Sequence, residues 1–251
     1  MLPNFRRFPF ILMYHSISDS SQDPYSVSVA GFLEQIDWLA ESGFSFVSLE
    51  SIVSILKKGE HGGLRKKVVV TFDDGYRDFM DNALPILLRY GVPATVFLVT
   101  EMLGGSSSWT SVHEPLMSED EIGYIRSKGI SVGSHTATHA DLTVLDDEEL
   151  SLQLCRSRSK MDELGETFYP LSYPWGKTSA RVATAAEAAG YECAILSTRR
   201  SSLHSIDTYS LPRISIRRDM PLHRFIATMR RQPVESLLRD YLRSLGALFN
   251  V

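Results

Sequence analysis

The sequence predicts an α/β fold, a (β/α) barrel of seven or eight strands in a single domain over residues 1–251, and three observations lead there. Short apolar runs of strand character alternate with amphipathic helical stretches seven or eight times. No internal repeat and no linker-like segment divides the chain, and 251 residues at 43% hydrophobic and 22% charged suffice for one large core. His15, Asp73-Asp74, His135 and Tyr173–Trp175 each fall at the C-terminal end of a different predicted strand. In a barrel those ends share one face, the face on which active sites form. An open doubly wound sheet is the competing architecture, but no Gly-x-Gly-x-x-Gly follows the first strand and no phosphate loop is present.

Phe10-Ile11-Leu12-Met13-Tyr14 reads as the first buried strand, with His15 directly after it and a polar loop over Ser16–Ser26. Gly31–Ser42 has helical apolar spacing through Phe32, Ile36, Leu39 and Ala40; a strand follows at Phe44–Val47 and a helix at Leu49–Lys58. After His61-Gly62-Gly63, the run Val68–Phe72 is a buried strand that stops at Asp73-Asp74-Gly75. A helix over Asp78–Tyr90 ends at Gly91, a strand spans Ala94–Val99, and a Gly/Ser-rich loop from Gly104 carries Trp109 and His113. Ser118–Lys128 is a helix closed by Gly129, Ile130–Ser134 a short strand, and His135–His139 begins where it ends. Asp146–Leu164 is a helix with an acidic first turn, Phe168–Tyr173 a strand, Pro174–Lys177 a turn, and Ser179–Ala189 a helix stopped by Gly190. Glu192–Leu196 and Leu211–Ile216 are the last strands, followed by helices over Leu222–Arg231 and Val234–Leu245.

Composition excludes several function classes. The formal charge is −4 with no dense Lys/Arg run, which argues against a nucleic-acid partner. No stretch approaches the ~20 apolar residues of a membrane span, and the apolar part of Met1–Tyr14 is interrupted by Pro9 with no small-residue cleavage site after it. The expected location is therefore cytoplasmic, unless a leader was removed. Cys155 and Cys193 lie in a helical and a strand pattern and are expected to be buried thiols. Nothing in the composition states an oligomeric state.

Two adjacent carboxylates at a strand end can share a pocket only where the backbone turns, which Gly75 permits, and their mutual repulsion calls for a cation nearby. His135 and His139, four residues apart, can reach one ion from a tight loop, and with a strand-end aspartate they form a His-His-carboxylate set of the kind that holds catalytic Zn²⁺ with positions open for water. Trp109, in its loop, is either a substrate wall or a cover for the barrel end.

Thr71-Phe72-Asp73-Asp74-Gly75-Tyr76 and Ser134-His135-Thr136-Ala137-Thr138-His139-Ala140-Asp141-Leu142 resemble the first two motifs of the polysaccharide deacetylases, carbohydrate esterase family four, the NodB-homology domain. The resemblance runs from Leu12-Met13-Tyr14-His15 to Leu211-Pro212-Arg213-Ile214 and implies a distorted barrel that removes acetyl groups from N-acetylated sugars. It implies that Asp74, His135 and His139 hold a divalent ion, Zn²⁺ first, with Ni²⁺, Co²⁺ or Fe²⁺ as alternatives, and that Asp73 is the base. Tyr173-Pro174-Trp175 resembles the third motif, so a backbone N–H there is expected to hold the oxyanion, and Trp175 offers a face for a sugar ring. Two departures stand out. Ser172 replaces the usual Arg, so an Arg orienting the base must come from elsewhere, with Arg213 the candidate and a surface salt bridge its alternative role. The late motif that supplies the acid is missing; resemblance to the poly-N-acetylglucosamine subgroup implies His15 instead, with His204 the competitor. The expected partner is an N-acetylated carbohydrate. A formylated amino sugar or small cyclic amide as substrate, or a barrel that binds sugar without turnover, are the competing functions.

Overall fold

Strands buried from end to end need both faces of their sheet covered, by helices outside and, where the sheet curls into a barrel, by its own inward side chains, and the apolar runs here are of that kind. The computed structural model describes residues 9–60, 64–197 and 207–230. Within it Phe10–Tyr14 (β1) and Ala94–Leu98 (β4) are buried at every position, and Lys67–Phe72 (β3) at all but its first. The other strands are Ser45–Phe46 (β2), Ser131–Ser134 (β5), Pro170–Ser172 (β6), Cys193–Ile195 (β7) and Ile214–Ser215 (β8). They pair in parallel in the order β7-β6-β5-β4-β3-β1-β8, with β2 joined to the start of β3. The free edges of β7 and β8 are drawn together by a bridge between Ile195 and Leu211, so the sheet curls into a distorted barrel with one thinly stitched seam.

That seam corrects one expected element. The sequence predicts a single strand over Leu211–Ile216, but Leu211 pairs toward β7 while Ile214–Ser215 pairs with β1. Pro212, with no N–H to give a ladder, stands at the break.

The helices are Val29–Glu41 (α1), Leu49–Lys57 (α2), Leu84–Tyr90 (α3), Glu119–Ser127 (α4), Asp147–Glu163 (α5), Ala180–Ala188 (α6) and Leu222–Arg230 (α7). Ser28, Ser48, Ser118, Asp146 and Ser179 cap five of them through side-chain oxygens, each accepting a first-turn amide. The helix expected over Asp78–Tyr90 instead opens with a π-helical turn at Phe79–Ala83, where the Leu84 N–H reaches back to Phe79 O; Pro85 then takes the first turn of α3, the one place in a helix where a missing N–H costs nothing. Helix α5 buries Leu150, Leu154, Ser157 and Met161. Cys155 falls beside that stripe and is exposed, contrary to expectation, whereas Cys193 is buried in β7. No helix among the described residues is long and apolar enough to cross a membrane. The predicted helix over Val234–Leu245, the His61–Gly63 stretch and His204 lie outside the described residues.

Candidate active site and metal centre

Strands β3 and β5 run out into loops whose backbones adopt conformations that side chains ordinarily avoid. The Asp73 N–H still pairs with Tyr14 O at 2.9 Å, but Asp74 takes φ 74° and Gly75 φ 73°. A Cβ on Gly75 would stand 2.9 Å from Leu98 Cδ2, so a side chain there would be strained and would also have to displace Leu98. Beyond β5, Thr136 (φ 69°) and His139 (φ 62°) curl the chain so that both imidazoles face inward, and Thr136 Oγ1 accepts from the His139 N–H at 3.0 Å.

The result brings Asp74, His135 and His139 together, all buried, with one ligand atom from each lying within 4.8 Å of the others. Each Nε2 is 3.4 Å from Asp74 Oδ1, which is buried without a hydrogen-bond partner. Donors bound to one tetrahedral ion at roughly 2.0–2.2 Å stand about 3.3–3.5 Å apart, so this spacing suits a shared cation better than direct hydrogen bonds. His135 Nδ1 donates to Ser172 O at 2.8 Å, which leaves the Nε2 lone pair facing Asp74. The residues fit a divalent ion.

Asp73 has a different partner. Arg213 donates from Nη1 to Asp73 Oδ1 at 2.7 Å and from Nη2 to Oδ2 at 2.6 Å, and both residues are 1% exposed. Further bonds run from Arg213 to Thr71 Oγ1 at 3.1 Å, Ser172 Oγ at 2.8 Å and Leu196 O at 2.8 Å, while the Ser172 hydroxyl donates to Asp73 Oδ2 at 3.1 Å. This is a buried bidentate pair, not a surface bridge. Burial pushes the Asp73 carboxyl up, but the Arg213 guanidinium and His135 outweigh it and hold it below the usual carboxylate range. Asp74, raised by burial and lowered more strongly by the two imidazoles, sits well below that range.

His15 follows β1, with its ring 4.7 Å from that of Tyr25. Burial pulls its imidazole below the ordinary value against the opposing charges of Asp74 and Asp73. Trp109 stacks on His139 with ring centres 4.5 Å apart, and Trp175, 52% exposed, meets the same ring edge-on at 4.8 Å. Two of the residues assigned to substrate contact face elsewhere. Tyr173 is buried in the core with its hydroxyl donating to Tyr209 O and its N–H to Ile195 O, and Pro174 is buried and has no N–H. The Gly176 and Lys177 amides fold back on Tyr173 O and Pro174 O, so the Trp175 N–H (φ 60°) is the amide of this turn with no acceptor among the described residues.

His15, Asp73, Asp74, His135, His139, Trp109 and Trp175 line one cavity of about 200 Å³. So do Asp23, Tyr25 and Tyr76, which the sequence pattern does not single out. Tyr76 had a signal, its place directly after Asp73-Asp74-Gly75; Asp23-Pro24-Tyr25 had a weaker one, an aromatic after a Pro in a polar loop. His113 and His223 are exposed.

Comparison with known proteins agrees with this geometry. The polysaccharide deacetylase family model matches residues 61–194. A relative from Bacillus subtilis strain 168, YxkH, provisionally named a polysaccharide deacetylase, is 28% identical over 207 residues, 82% of this chain and 70% of its own. The poly-beta-1,6-N-acetyl-D-glucosamine N-deacetylase of Staphylococcus epidermidis is 28% identical over 209 residues, 78% of this chain and 69% of its own. Among solved structures, the Streptococcus pyogenes deacetylase PplD matches with a TM-score of 0.76 at 24% identity, over 88% of this chain and 97% of its own. IcaB from Ammonifex degensii matches at 0.73 and 20%, over 91% and 98%. At those identities the structural likeness speaks to fold.

Proposed function

The chain belongs to the polysaccharide deacetylase family, whose model covers residues 61–194, and from that premise we propose that it is a metal-dependent hydrolase removing N-acetyl groups from an N-acetylglucosamine-containing polysaccharide or its precursor. The observation that carries this reading is the convergence of Asp74, His135 and His139 beside an arginine-paired Asp73 in one cavity. The name of the Staphylococcus epidermidis relative supports the choice of sugar. Asp74, His135 and His139 would hold the ion, and Zn²⁺ is the choice because two imidazoles and a carboxylate with open positions suit catalytic zinc. When bound, such an ion lowers the pKa of water and polarises the amide carbonyl.

The chain's own residues divide the remaining work. Asp73 accepts the proton of the attacking water, and Arg213, bonded to both its oxygens, fixes the carboxylate's orientation while leaving lone pairs free. As the water oxygen bonds to the acetyl carbon, charge builds on the carbonyl oxygen, and the Trp175 N–H is the donor for it. His15 delivers a proton to the sugar nitrogen as the C–N bond breaks, so a neutral amine and acetic acid leave, the acid then ionising in water. Trp109 and Trp175 present aromatic faces to the ring of the sugar.

Acetate release from a panel of N-acetylated glycans, measured with and without a chelator, tests the proposal. Release that stops on chelation and returns with a divalent ion is expected. Full activity in chelator, or no release from any glycan by metal-loaded protein, overturns it.

A further inference from the structure

The cavity lining is of two unlike kinds. Trp109 and Trp175 flank His139 with aromatic rings. The Asp23-Pro24-Tyr25 stretch of the loop after β1 lines the same cavity. Resting on the deacetylase reading, we propose that Asp23 forms a sugar subsite that accepts hydroxyl-bearing N-acetylhexosamine units and turns away units carrying a carboxylate.

The loop is built to hold its shape. Ile17 and Val27 bridge its ends, and the Ser18 N–H donates to Val27 O at 2.8 Å. From the segment after β8, the Arg218 N–H donates to Pro24 O at 2.9 Å and its side chain to Ser21 O. Tyr25 is clasped between the His15 ring at 4.7 Å and the Arg217 guanidinium at 4.8 Å. Within this frame Asp23 Oδ1 accepts the Tyr25 N–H at 2.7 Å, an Asx turn that aims the carboxylate and engages one of its oxygens. Asp23 is partly exposed and lines the cavity, and its second carboxylate oxygen has no hydrogen-bond donor among the described residues, which leaves acceptor capacity for an occupant.

A pyranose has a C–H face that suits an indole and a rim of hydroxyls that suits an acceptor, so indoles and a carboxylate lining one cavity complement the two aspects of one ring. The charge adds selectivity. Asp73 is matched by Arg213, and Asp74 faces two imidazoles and the ion they would hold. Asp23 lines the same cavity without a salt-bridge partner among the described residues. A carboxylate there accepts only, so it welcomes hydroxyls and repels the acid of a lactyl-substituted or uronic sugar.

The metal-loaded protein and its Asp23→Asn variant should be compared on three substrates: a β-1,6-linked N-acetylglucosamine oligomer, a glycan alternating N-acetylglucosamine with N-acetylmuramic acid, and an aryl acetate ester. Asparagine keeps the Oδ1 that caps Tyr25, and unchanged metal content and Tm confirm the fold. In the variant, KM for the neutral oligomer should rise roughly five- to tenfold with kcat within about twofold, and the preference for neutral over anionic glycan should shrink about tenfold. The loss on the oligomer should exceed that on the aryl ester by at least about fivefold. An unchanged KM or preference, or an equal loss on the ester, overturns the subsite while wild-type acetate release leaves the deacetylase reading standing. No wild-type release from either glycan, with the ester still cleaved, overturns the deacetylase reading and the subsite with it.

Discussion

Replacing Arg213 by Met keeps the unbranched stem of the side chain and removes its guanidinium and charge, leaving the Asp73 carboxylate in a place 1% exposed to water. Breaking one side of a buried pair costs about 3–5 kcal/mol, because the remaining charge loses its countercharge with little solvent to replace it; here only the Ser172 hydroxyl still donates to Asp73. Leu196 O also loses its donor, whereas the Thr71 hydroxyl keeps its bond to Leu12 O at 2.7 Å. Arg213→Met alone should therefore cost about 4 kcal/mol, a large share of the roughly 5–15 kcal/mol a domain has. Adding Asp73→Asn removes the stranded charge, so the double variant should lose only about 2 kcal/mol and the cycle should show a coupling of about 2 kcal/mol or more. Urea unfolding of the metal-loaded proteins measures both. A single variant that loses less than about 1 kcal/mol, or a double variant no more stable than the single, refutes the argument that compensation of Asp73 is what Arg213 supplies.

Asp74→Asn should lose stoichiometric metal, while Asp73→Asn should keep it and lose turnover; equal metal loss in both, by elemental analysis, would place both carboxylates on the ion. His15→Ala should lower kcat by roughly 10²–10⁴ on an N-acetylglucosamine oligomer with metal unchanged, and by less on an aryl acetate whose leaving group needs no proton; near-full activity on the oligomer removes His15 from the role of acid. Asp78, which does not line the cavity, supplies a pH test. Burial pushes its carboxyl up to about 6, with Oδ2 accepting from the Ser16 hydroxyl and Oδ1 buried without a partner. Between the unfolded value near ~3.9 and about 6 the folded chain binds the extra proton, so stability falls as pH rises through that window. Asp78→Asn should flatten that fall and exceed wild type by about 1–3 kcal/mol at pH ~8 in urea titrations, and identical slopes for the two proteins would discard the assignment.

Much of the fold is legible because local signals and burial agree. Gly91 ends α3 in a left-handed conformation at φ 62°, and Ser118 with Glu121 forms a capping box at the start of α4, both readable as punctuation. The misreadings have a common source in proline. Pro85 sits inside a helical pattern and Pro212 inside a strand pattern, and in each case the apolar period continues while the hydrogen bonding changes. Periodicity reports which residues are buried; it does not report which amide is missing. Cys155 shows the converse limit, since one step off a helix's buried stripe reverses exposure.

The site itself was legible where a side chain declares its chemistry and hidden where the backbone does. Asp74, Thr136, His139 and Trp175 all hold positive φ without being glycine, and such conformations cost of order 1–3 kcal/mol each. A turn is ordinarily announced by glycine, but glycine at position 74 or 139 would remove an atom the ion needs, and at 175 an indole that lines the cavity. The strain must then be held by neighbours. Thr136 Oγ1 takes the His139 N–H, Ser134 Oγ takes the Thr136 N–H at 3.1 Å, and the Tyr191 hydroxyl donates to Ser134 Oγ at 2.9 Å. This chain of bonds runs from the ligand loop into the barrel wall, through Ser134 and Thr136 of the second motif and out to Tyr191, far along the chain. It explains why the ligands' roles can be named from sequence while the supports' roles cannot: the ligands are chosen for chemistry that any protein would need, and the supports for the particular strain that this backbone must contain.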